Sequence, residues 1–377
     1  TILVPLVKDK NGNLSDKNNY RPLSLTCIVS KVLEILILNR YRVNLKTGDN
    51  QFGFKEKLST DMCIYSLKQV SDYYVKLGSP MYICYLDASK AFDKINHWVL
   101  LKKLLNRKIP TIIVRILLIW YERQQFYVRW NGNLSCAFKV INGVRQGSIL
   151  SPYLFNVYLD ELRQLLNSAS TGCILNGVRI NHLLYADDAV LLAPSPHSMQ
   201  TLLNVCENFA ARTELVYNVN KTFCLCIRPK WLKNIYVPDM LLCGNVIKVC
   251  TEYKYLGMFI TDNMKDDKDL NRQMRGIYAR GNSLLKRFKY CNSDVKIKLF
   301  KAYCTNFYCL SLWSKFSQYC HRKVKSAYNR IFRNFMNIER DDMVYFMLNT
   351  GVKTNSKHGS MIRHIGSVWW LNNMALG

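Results

Sequence analysis

The stretch that most constrains this chain is NHLLYADDAVLL at residues 181 to 192, where two adjacent carboxylates stand between two apolar runs. The runs have the composition of buried strands, so the pattern predicts a hairpin with Asp187 and Asp188 at its tip. Neighbouring carboxylates repel each other and resist desolvation, so a cation is expected beside them. A bare Asp-Asp pair is also compatible with an ordinary polar turn, and only its context argues against that interpretation.

A third acid extends this context. Asp87 follows the strand-like run MYICYL at 81 to 86, and a helical pattern comes after it with Phe92, Ile95 and Val99 on one face. Asp87, Asp187 and Asp188 each follow an apolar strand, and none has a Lys or Arg within two residues. Hard oxygen ligands suit Mg²⁺, and two such ions can activate a 3′-hydroxyl and stabilise a leaving pyrophosphate. We expect two Mg²⁺ ions here, with Mn²⁺ as a candidate substitute.

The charge balance indicates a polyanionic partner. The 377 residues carry 53 Lys and Arg against 26 Asp and Glu, a formal net charge of +27. Residues 271 to 340 contain sixteen basic and two acidic residues, with aromatic residues interleaved. An excess of this size favours nucleic acid as the partner. A hydrophobic content of 49% excludes a disordered chain and predicts a folded protein with several subdomains.

Cysteine usage and hydropathy predict the cellular compartment of the chain and whether it contacts a membrane. The fourteen cysteines lie mostly in apolar segments without paired spacing, which is typical of reduced thiols in an intracellular protein. The longest apolar run, at 109 to 120, is short and interrupted by Arg115, so we expect a soluble chain with no membrane partner. The chain opens on Thr1 in an apparent strand, which suggests part of a longer polyprotein.

The periodicity predicts an α+β protein that becomes helical beyond about 265. Helices are predicted at 26–43, 111–123, 148–166 and 197–212. Strands are predicted at 2–7, 81–86, 125–130, 135–141, within 214–227, and near 239–249 and 253–261.

Three ordered stretches are similar to one protein family. YLDASKAFDKINH (85–97), GVRQGSILSPYLFNVYLDEL (143–162) and LLYADDAVLL (183–192) resemble the polymerase core of reverse transcriptases, specifically those of non-LTR (LINE-type) retrotransposons. VPLVKD with NNYRPLSL (4–25), QFGFKEKLST (51–60), NVNKT (218–222) and YKYLGMFI (253–260) resemble further motifs of the same elements. The resemblance covers residues 1 to about 340.

The resemblance implies a right-hand polymerase fold with fingers, a palm built on an antiparallel sheet, and a helical thumb. The fingers would comprise 1–80 with part of 105–147, the palm 81–104 and 148–262, and the thumb 263–345. Residues 346–377 would form a C-terminal extension of unknown role. The basic thumb would follow a duplex through its phosphates, which carry affinity without sequence information.

The resemblance also assigns roles to single residues. Asp87 and Asp187 would ligate both metals, with Asp188 as a weaker or water-mediated partner. Phe92 would contact the incoming sugar and exclude a ribose 2′-hydroxyl, although its spacing alone is that of a core phenylalanine.

Several polar residues would bind the nucleotide. Gln146 and Gly147 would line the incoming nucleotide, because glycine admits close backbone approach and the following helix N-terminus favours phosphate. Arg21 and Lys8 would hold the triphosphate, and Lys221 would protonate the leaving pyrophosphate. Solvated surface charge is the alternative for each of these three cations.

The function implied is an RNA-directed DNA polymerase that uses an RNA template, a DNA primer and dNTPs. A group II intron-type or telomerase-type polymerase, an RNA-dependent RNA polymerase, and a catalytically silent nucleic-acid-binding relic are the alternatives. We expect nuclear action for target-primed synthesis, with translation and particle assembly in the cytoplasm. We recognise no endonuclease domain in these residues, so we expect that the chain alone does not nick its target. The oligomeric state is left open.

Overall fold

The computed structural model describes residues 1–229, 231–232 and 236–338. The chain forms two compact units, of which the first is Thr1–Thr251 and the second begins at Glu252. The predicted C-terminal extension and the end of the predicted thumb lie outside the described residues. The predicted boundaries of fingers, palm and thumb therefore stay predictions.

The order of elements mixes strands and helices in the first unit and is mainly helical in the second. The helices are α1 Ile28–Tyr41, α2 Thr60–Lys76, α3 His97–Asn106, α4 Thr111–Arg123, α5 Ser151–Ser168, α6 Pro196–Thr213, α7 Asp267–Phe288, α8 Ser293–Cys304 and α9 Gln318–Met336. The strands are β1 Ile2–Val7, β2 Tyr20–Leu25, β3 Met81–Leu86, β4 Gln125–Trp130, β5 Asn133–Leu134, β6 Phe138–Lys139, β7 Cys173–Leu175, β8 Val178–Ile180, β9 His182–Tyr185, β10 Asp188–Ala193, β11 Phe223–Ile227, β12 Leu241–Leu242, β13 Asn245–Val246, β14 Lys248–Cys250, β15 Glu252–Tyr255 and β16 Met258–Thr261. The predicted α+β class is confirmed.

A five-stranded sheet in the order β14-β11-β3-β10-β9 lies at the centre of the first unit. All six residues of β3 are buried, as expected for a continuous apolar run. Successive side chains of a strand point to opposite faces, so β3 supplies apolar side chains to both sides of the sheet. Tyr82, Cys84 and Leu86 belong to the large core built with α5 and α6, and α2 also packs on β3. Burial on both faces fixes the position of the strand end that carries Asp87.

A second sheet, in the order β2-β1-β4-β5 with β6 on β4, is formed by the N-terminal strands and the segment after α4. β1 pairs antiparallel with β2 and parallel with β4. Arg21 pairs with Leu6 in this sheet and stands in the strand that leads to α1. The sheet thus ties residues near the chain start to the hairpin around Asn131 and Gly132.

The segment after Asp87 differs from the predicted single helix. Ala91–Lys94 forms one 3-10 turn, and α3 begins only at His97. The carbonyls of Phe92 and Ile95 accept from the amides of Val144 (2.8 Å) and Gly143 (2.7 Å), so they do not extend a helix. Asn96 then starts α3 by accepting from the Val99 amide at 3.2 Å.

The predicted strands at 239–249 and 253–261 are hairpins and short strands. β12 pairs with β13, and β14 runs parallel to β11 in the central sheet. β15 pairs with β16 through a turn in which Leu256 and Gly257 both have positive φ. The interruption at Gly257 turns the second predicted strand back on itself.

The second unit is built on α7, α8 and α9, whose apolar faces meet in one core. The core includes Ile277, Phe300, Ile331, Phe332 and Phe335. Tyr290 and Tyr303 are exposed, so the interleaved aromatic residues divide between core and surface. Within the described residues no helix combines the length and apolar character needed to cross a bilayer.

Candidate active site

The aspartates meet where two strands of the central sheet end. β10 pairs antiparallel with β9, with Asp188 opposite Tyr185, so the turn consists of Ala186 and Asp187. β10 also pairs antiparallel with β3, with Ala189 opposite Leu86. Asp87 follows Leu86 and Asp188 precedes Ala189, so this register brings the two carboxylates to the same end of the sheet. The predicted hairpin and its aspartate tip are confirmed.

The three carboxyl groups have raised pKa values because the surrounding protein desolvates them. Burial raises the pKa of Asp188 to about 6, and the negative charges of Asp187 and Asp87 add to the shift. Burial also raises the pKa of Asp187, although its own backbone hydrogen bond and the charge of Arg21 oppose this. Burial raises the pKa of Asp87 against the charge of Lys221. Asp187 and Asp188 still reach solvent, so an external cation can approach them.

The donor set fits Mg²⁺ held jointly with substrate. Within the described residues, no three His, Cys, Asp or Glu side chains are placed to hold a metal among themselves. Mg²⁺ usually takes one or two carboxylates and completes its sphere with water and substrate phosphates. Asp87 and Asp187 line the same cleft and match that requirement, whereas Asp188 is not among the residues that line it.

The cleft, of about 1440 Å³, brings together almost all of the predicted site residues. It is lined by Asp87 and Asp187 and by the predicted nucleotide-binding residues Lys8, Arg21, Phe92, Gln146, Gly147 and Lys221. Further cations on its wall are Lys17, Lys90, Lys94 and Arg145. Three carboxylates line the cleft, those of Asp87, Asp93 and Asp187, and this excess of cations around them suits a polyphosphate that arrives with metal ions.

Phe92 has features of both interpretations made from the sequence. Its ring stacks on that of Phe155 with centroids 4.1 Å apart and planes 5° apart, and Phe155 is fully buried. Phe54 meets it edge to face at 6.2 Å. Phe92 is half-buried and also lines the cleft. The core thus holds the Phe92 ring in place, and part of the same ring borders the cleft.

The loop before α5 is fixed by a carboxylate that sequence reasoning missed. Glu34 in α1 is fully buried and accepts from Arg145 at 2.8 Å and from the Ile149 amide at 2.7 Å. Arg145 also lies over the Trp120 ring, 4.2 Å from its centroid. The expected phosphate at this helix N-terminus stays a prediction, and Glu34 already accepts from the amides of Ile149 and Leu150, the two residues directly before α5. The available signal was one acid in an otherwise apolar face of α1.

Gln146 and Gly147 remain on the cleft wall. The Gln146 side chain donates to Asp93 at 3.0 Å. The backbone carbonyl of Gln146 accepts from the Ser24 amide at 2.7 Å. Gly147 has φ +106°, and a Cβ there would lie 3.0 Å from the Ser24 carbonyl oxygen. Glycine is thus required by the approach of β2 as well as by its backbone angle. Asp93, within the AFDKINH motif, is a further cleft residue that had not been singled out.

The predicted cations occupy different settings. The Lys8 ammonium donates to the Asn18 carbonyl at 2.9 Å and remains exposed. Arg21 is exposed, and its charge acts on both Asp187 and Asp93. Lys221 ends a 3-10 turn before β11, and its positive charge opposes the rise in the pKa of Asp87. The structure brings these side chains to the carboxylates without a salt bridge from any of them to Asp87, Asp187 or Asp188 among the described residues.

Comparison with known proteins identifies the family. Residues 7–260 match the family model described as reverse transcriptase (RNA-dependent DNA polymerase). The RNA-directed DNA polymerase from mobile element jockey of Drosophila funebris is 27% identical over 303 residues, which are 76% of this chain and 32% of that protein. The Pol polyprotein from type-2 retrotransposable element R2DM of Drosophila melanogaster is 28% identical over 270 residues, which are 69% of this chain and 25% of that protein.

The chain thus spans about a third or less of the length of these relatives. Among solved structures, a telomerase from Candida Tropicalis in complex with a fragment of telomeric RNA covers 90% of this chain and 56% of its own, at 13% identity and a TM-score of 0.45. That likeness is too low to add to the assignment. The extent of the family match and the retrotransposon relatives agree with the resemblance in the sequence motifs. The chain belongs to the reverse transcriptase (RNA-dependent DNA polymerase) family and is related to the enzymes of non-LTR retrotransposons.

Proposed function

We propose that this chain carries the RNA-directed DNA polymerase activity of a non-LTR retrotransposon. The observation that carries the proposal is the convergence of Asp87 and Asp187, with raised pKa values and no salt bridge among the described residues, in a cleft lined by Lys and Arg. Such carboxylates favour an external cation when ionised. Reverse transcriptases generally depend on metal, and we propose two Mg²⁺ ions here, for which Mn²⁺ can substitute.

The reaction joins a dNTP to a DNA primer opposite an RNA template. The primer 3′-hydroxyl loses its proton to water, its oxygen forms a bond to the α-phosphorus, and the bond from that phosphorus to the pyrophosphate oxygen breaks. Asp87 and Asp187 would hold the divalent ions, and Asp188 would assist through its negative charge beside them. When bound, such ions would activate the hydroxyl and stabilise the charge of the pyrophosphate.

The remaining cleft residues orient the nucleotide and compensate its charge. Arg21 and Lys8 contact the triphosphate, and Lys221 gives a proton to the departing pyrophosphate. Gln146 and Gly147 border the base and sugar. Phe92, supported from behind by Phe155, occupies the space that a ribose 2′-hydroxyl would need.

The second unit binds the hybrid duplex through its phosphates. Its helix α9 presents exposed Arg322, Lys323 and Lys325 on one stretch, while Tyr328 and Phe332 face the core. Contacts of this kind position a duplex without reading its sequence. We propose that synthesis takes place in the nucleus on a nicked target, after translation and particle assembly in the cytoplasm.

The test is incorporation of dTTP on poly(rA) primed with oligo(dT) in Mg²⁺, with UTP in a parallel reaction. We expect DNA synthesis that EDTA stops, little use of UTP, and none of the dTTP incorporation in Asp87→Asn. Equal use of UTP would indicate an RNA-dependent RNA polymerase instead. Tight binding of the hybrid with no more synthesis than Asp87→Asn would show a silent binding protein.

A further inference from the structure

The segment 50–54, which includes the QFGF motif, runs along the edge of the aspartate hairpin. The Leu184 amide donates to the Asn50 carbonyl at 2.8 Å, and the Phe52 amide donates to the Leu184 carbonyl at 2.8 Å. Gln51 faces Leu184 in this parallel bridge. The loop between α1 and α2 therefore adds a short edge to β9, next to the turn that carries Asp187.

The side chain of Gln51 reaches the turn itself. It is 2% exposed, and its Oε1 accepts from the Gly53 amide at 2.9 Å and from the Ala186 amide at 3.1 Å. Ala186 has φ +56° and immediately precedes Asp187. A residue other than glycine in this conformation needs its surroundings to hold it. Gln51 supplies that restraint from a part of the chain 135 residues away.

Stability alone does not explain the side-chain amide of Gln51 at this position. Within the described residues, Nε2 of Gln51 has no hydrogen-bond partner although it is buried. An unpaired buried donor of this kind costs about 1–3 kcal/mol. Gln51 lies beside the proposed metal ligand Asp187 in spite of this cost. The hydrogen bond from the Ala186 amide to its oxygen therefore explains Gln51 better than its packing does.

Gly53 brings the segment close to the same turn. A Cβ built on Gly53 would lie 2.4 Å from the Ala186 nitrogen, closer than two such atoms can approach. Asn156 of α5, itself 3% exposed, donates to the Gly53 carbonyl at 2.8 Å. The segment is thus pressed between α5 and the turn, so a displacement of the segment is transmitted to Ala186.

We propose that Gln51 is a positioning residue for Asp187. Its oxygen fixes the backbone at Ala186, and this directs the next carboxylate into the cleft beside Asp87. Gln51 does not touch substrate or metal. The inference rests on the proposed role of Asp187 in metal binding and adds the group that maintains its geometry.

The first test uses Gln51→Met, which keeps the length of the side chain and removes the acceptor. Three quantities are measured: amide hydrogen exchange of peptides covering 183–189, Mn²⁺ binding by electron paramagnetic resonance, and kcat with KM for dTTP. The Mn²⁺ titration contains poly(rA), a dideoxy-terminated oligo(dT) and dTTP, so no reaction occurs. We expect faster exchange at 183–189 with no change at 81–86, weaker Mn²⁺ binding, and a fall in kcat of about 10- to 100-fold.

The matched control is Gln124→Met, which removes a similarly buried amide whose side chain donates to Thr1 Oγ1 at 3.0 Å. It should leave exchange at 183–189, Mn²⁺ binding and kcat unchanged. If Gln51→Met has the exchange, Mn²⁺ affinity and kcat of the parent protein, the inference is overturned. If the parent protein itself neither binds Mn²⁺ in this complex nor polymerises, the proposed function fails first.

A second variant covers the case in which Gln51→Met does not fold. Gly53→Ala leaves the Gln51 hydrogen bonds chemically intact and displaces the turn by steric contact alone. We expect the same loss of Mn²⁺ affinity and kcat, whereas Gly276→Ala in α7, where the nearest atom to a new Cβ is 3.6 Å away, should cause neither. Full Mn²⁺ affinity in folded Gly53→Ala would contradict the coupling of this segment to Asp187.

Discussion

Asp160 and the hairpin aspartates Asp187 and Asp188, all in the first unit, have opposite electrostatic settings. Asp160, on α5, is buried, and burial raises its pKa, but hydrogen bonds and charges from Arg163 and Arg107 outweigh this and hold the pKa below its usual value. Asp187 and Asp188 are also desolvated, yet their pKa values are raised. Among the described residues, the chain therefore forms salt bridges to the structural acid Asp160 and none to the hairpin aspartates.

Two other buried acids, Glu34 and Asp269, repeat the structural pattern. Glu34 is paired with Arg145, and in the second unit Asp269 accepts from Arg272 at 2.8 Å and from the Trp313 ring nitrogen at 3.1 Å. The contrast teaches that burial alone does not identify a functional acid. The informative feature is desolvation without a salt bridge among the described residues.

The largest expected effect concerns the unpaired acids. Asp87→Asn and Asp187→Asn should each lower dTTP incorporation by about 1000-fold or more, because a lost metal ligand removes charge stabilisation in the transition state. The melting temperature in metal-free buffer should not fall, since each change also removes like-charge repulsion. If either variant incorporates dTTP within tenfold of the parent protein, Asp87 and Asp187 are not functionally different from the buried acids that form salt bridges.

Asp160→Asn should have the converse effect. We expect a loss of about 3–5 kcal/mol in unfolding free energy, because Arg107 and Arg163 lose a buried partner. Since the folded pKa is lowered, this stabilisation is present above the unfolded value of about 3.9 and is lost as the pH falls through the folded pKa. Denaturant unfolding from pH 7 to pH 3 should therefore show the gap between parent and variant narrowing in acid.

A smaller effect is expected at Phe92, which borders both the core and the cleft. Phe92→Val should lower the ratio of kcat/KM for dCTP to that for CTP by about tenfold or more, since each 1.4 kcal/mol of lost discrimination is tenfold. Synthesis with dCTP should survive because the aspartates are unchanged. An unchanged ratio with a lower melting temperature would show that stacking on Phe155 is the whole role of the ring.

The smallest effect concerns the exposed cations of α9. Binding to an RNA/DNA hybrid should weaken steeply with salt, and replacing Lys323 and Lys325 with Gln should reduce the slope by about 1 for each phosphate that is no longer neutralised. Fluorescence anisotropy between 50 and about 200 mM salt measures this slope. A slope that stays flat in the parent protein would show that these cations do not face the duplex.

The local elements were largely predictable from periodicity. The helix over 111–123 and the strands at 2–7 and 81–86 have the predicted bounds, because their apolar patterns match the period of the element they form. The single helix predicted after Asp87 was wrong, since the Gly143 and Val144 amides donate to the Ile95 and Phe92 carbonyls and interrupt it. No local pattern in the sequence indicates hydrogen bonds between residues so far apart along the chain.

The candidate site shows the same division. The amino-acid sequence by itself determined the class of fold, the hairpin and its acids, because apolar periodicity and the turn between two apolar runs are local patterns. Only the tertiary structure decided which buried charge is neutralised and what restrains the turn, since Glu34 meets Arg145 across 111 residues and Gln51 accepts from the Ala186 amide across 135. Pairing between distant residues depends on packing of the whole unit, and packing is a property of the folded chain rather than of any stretch of it.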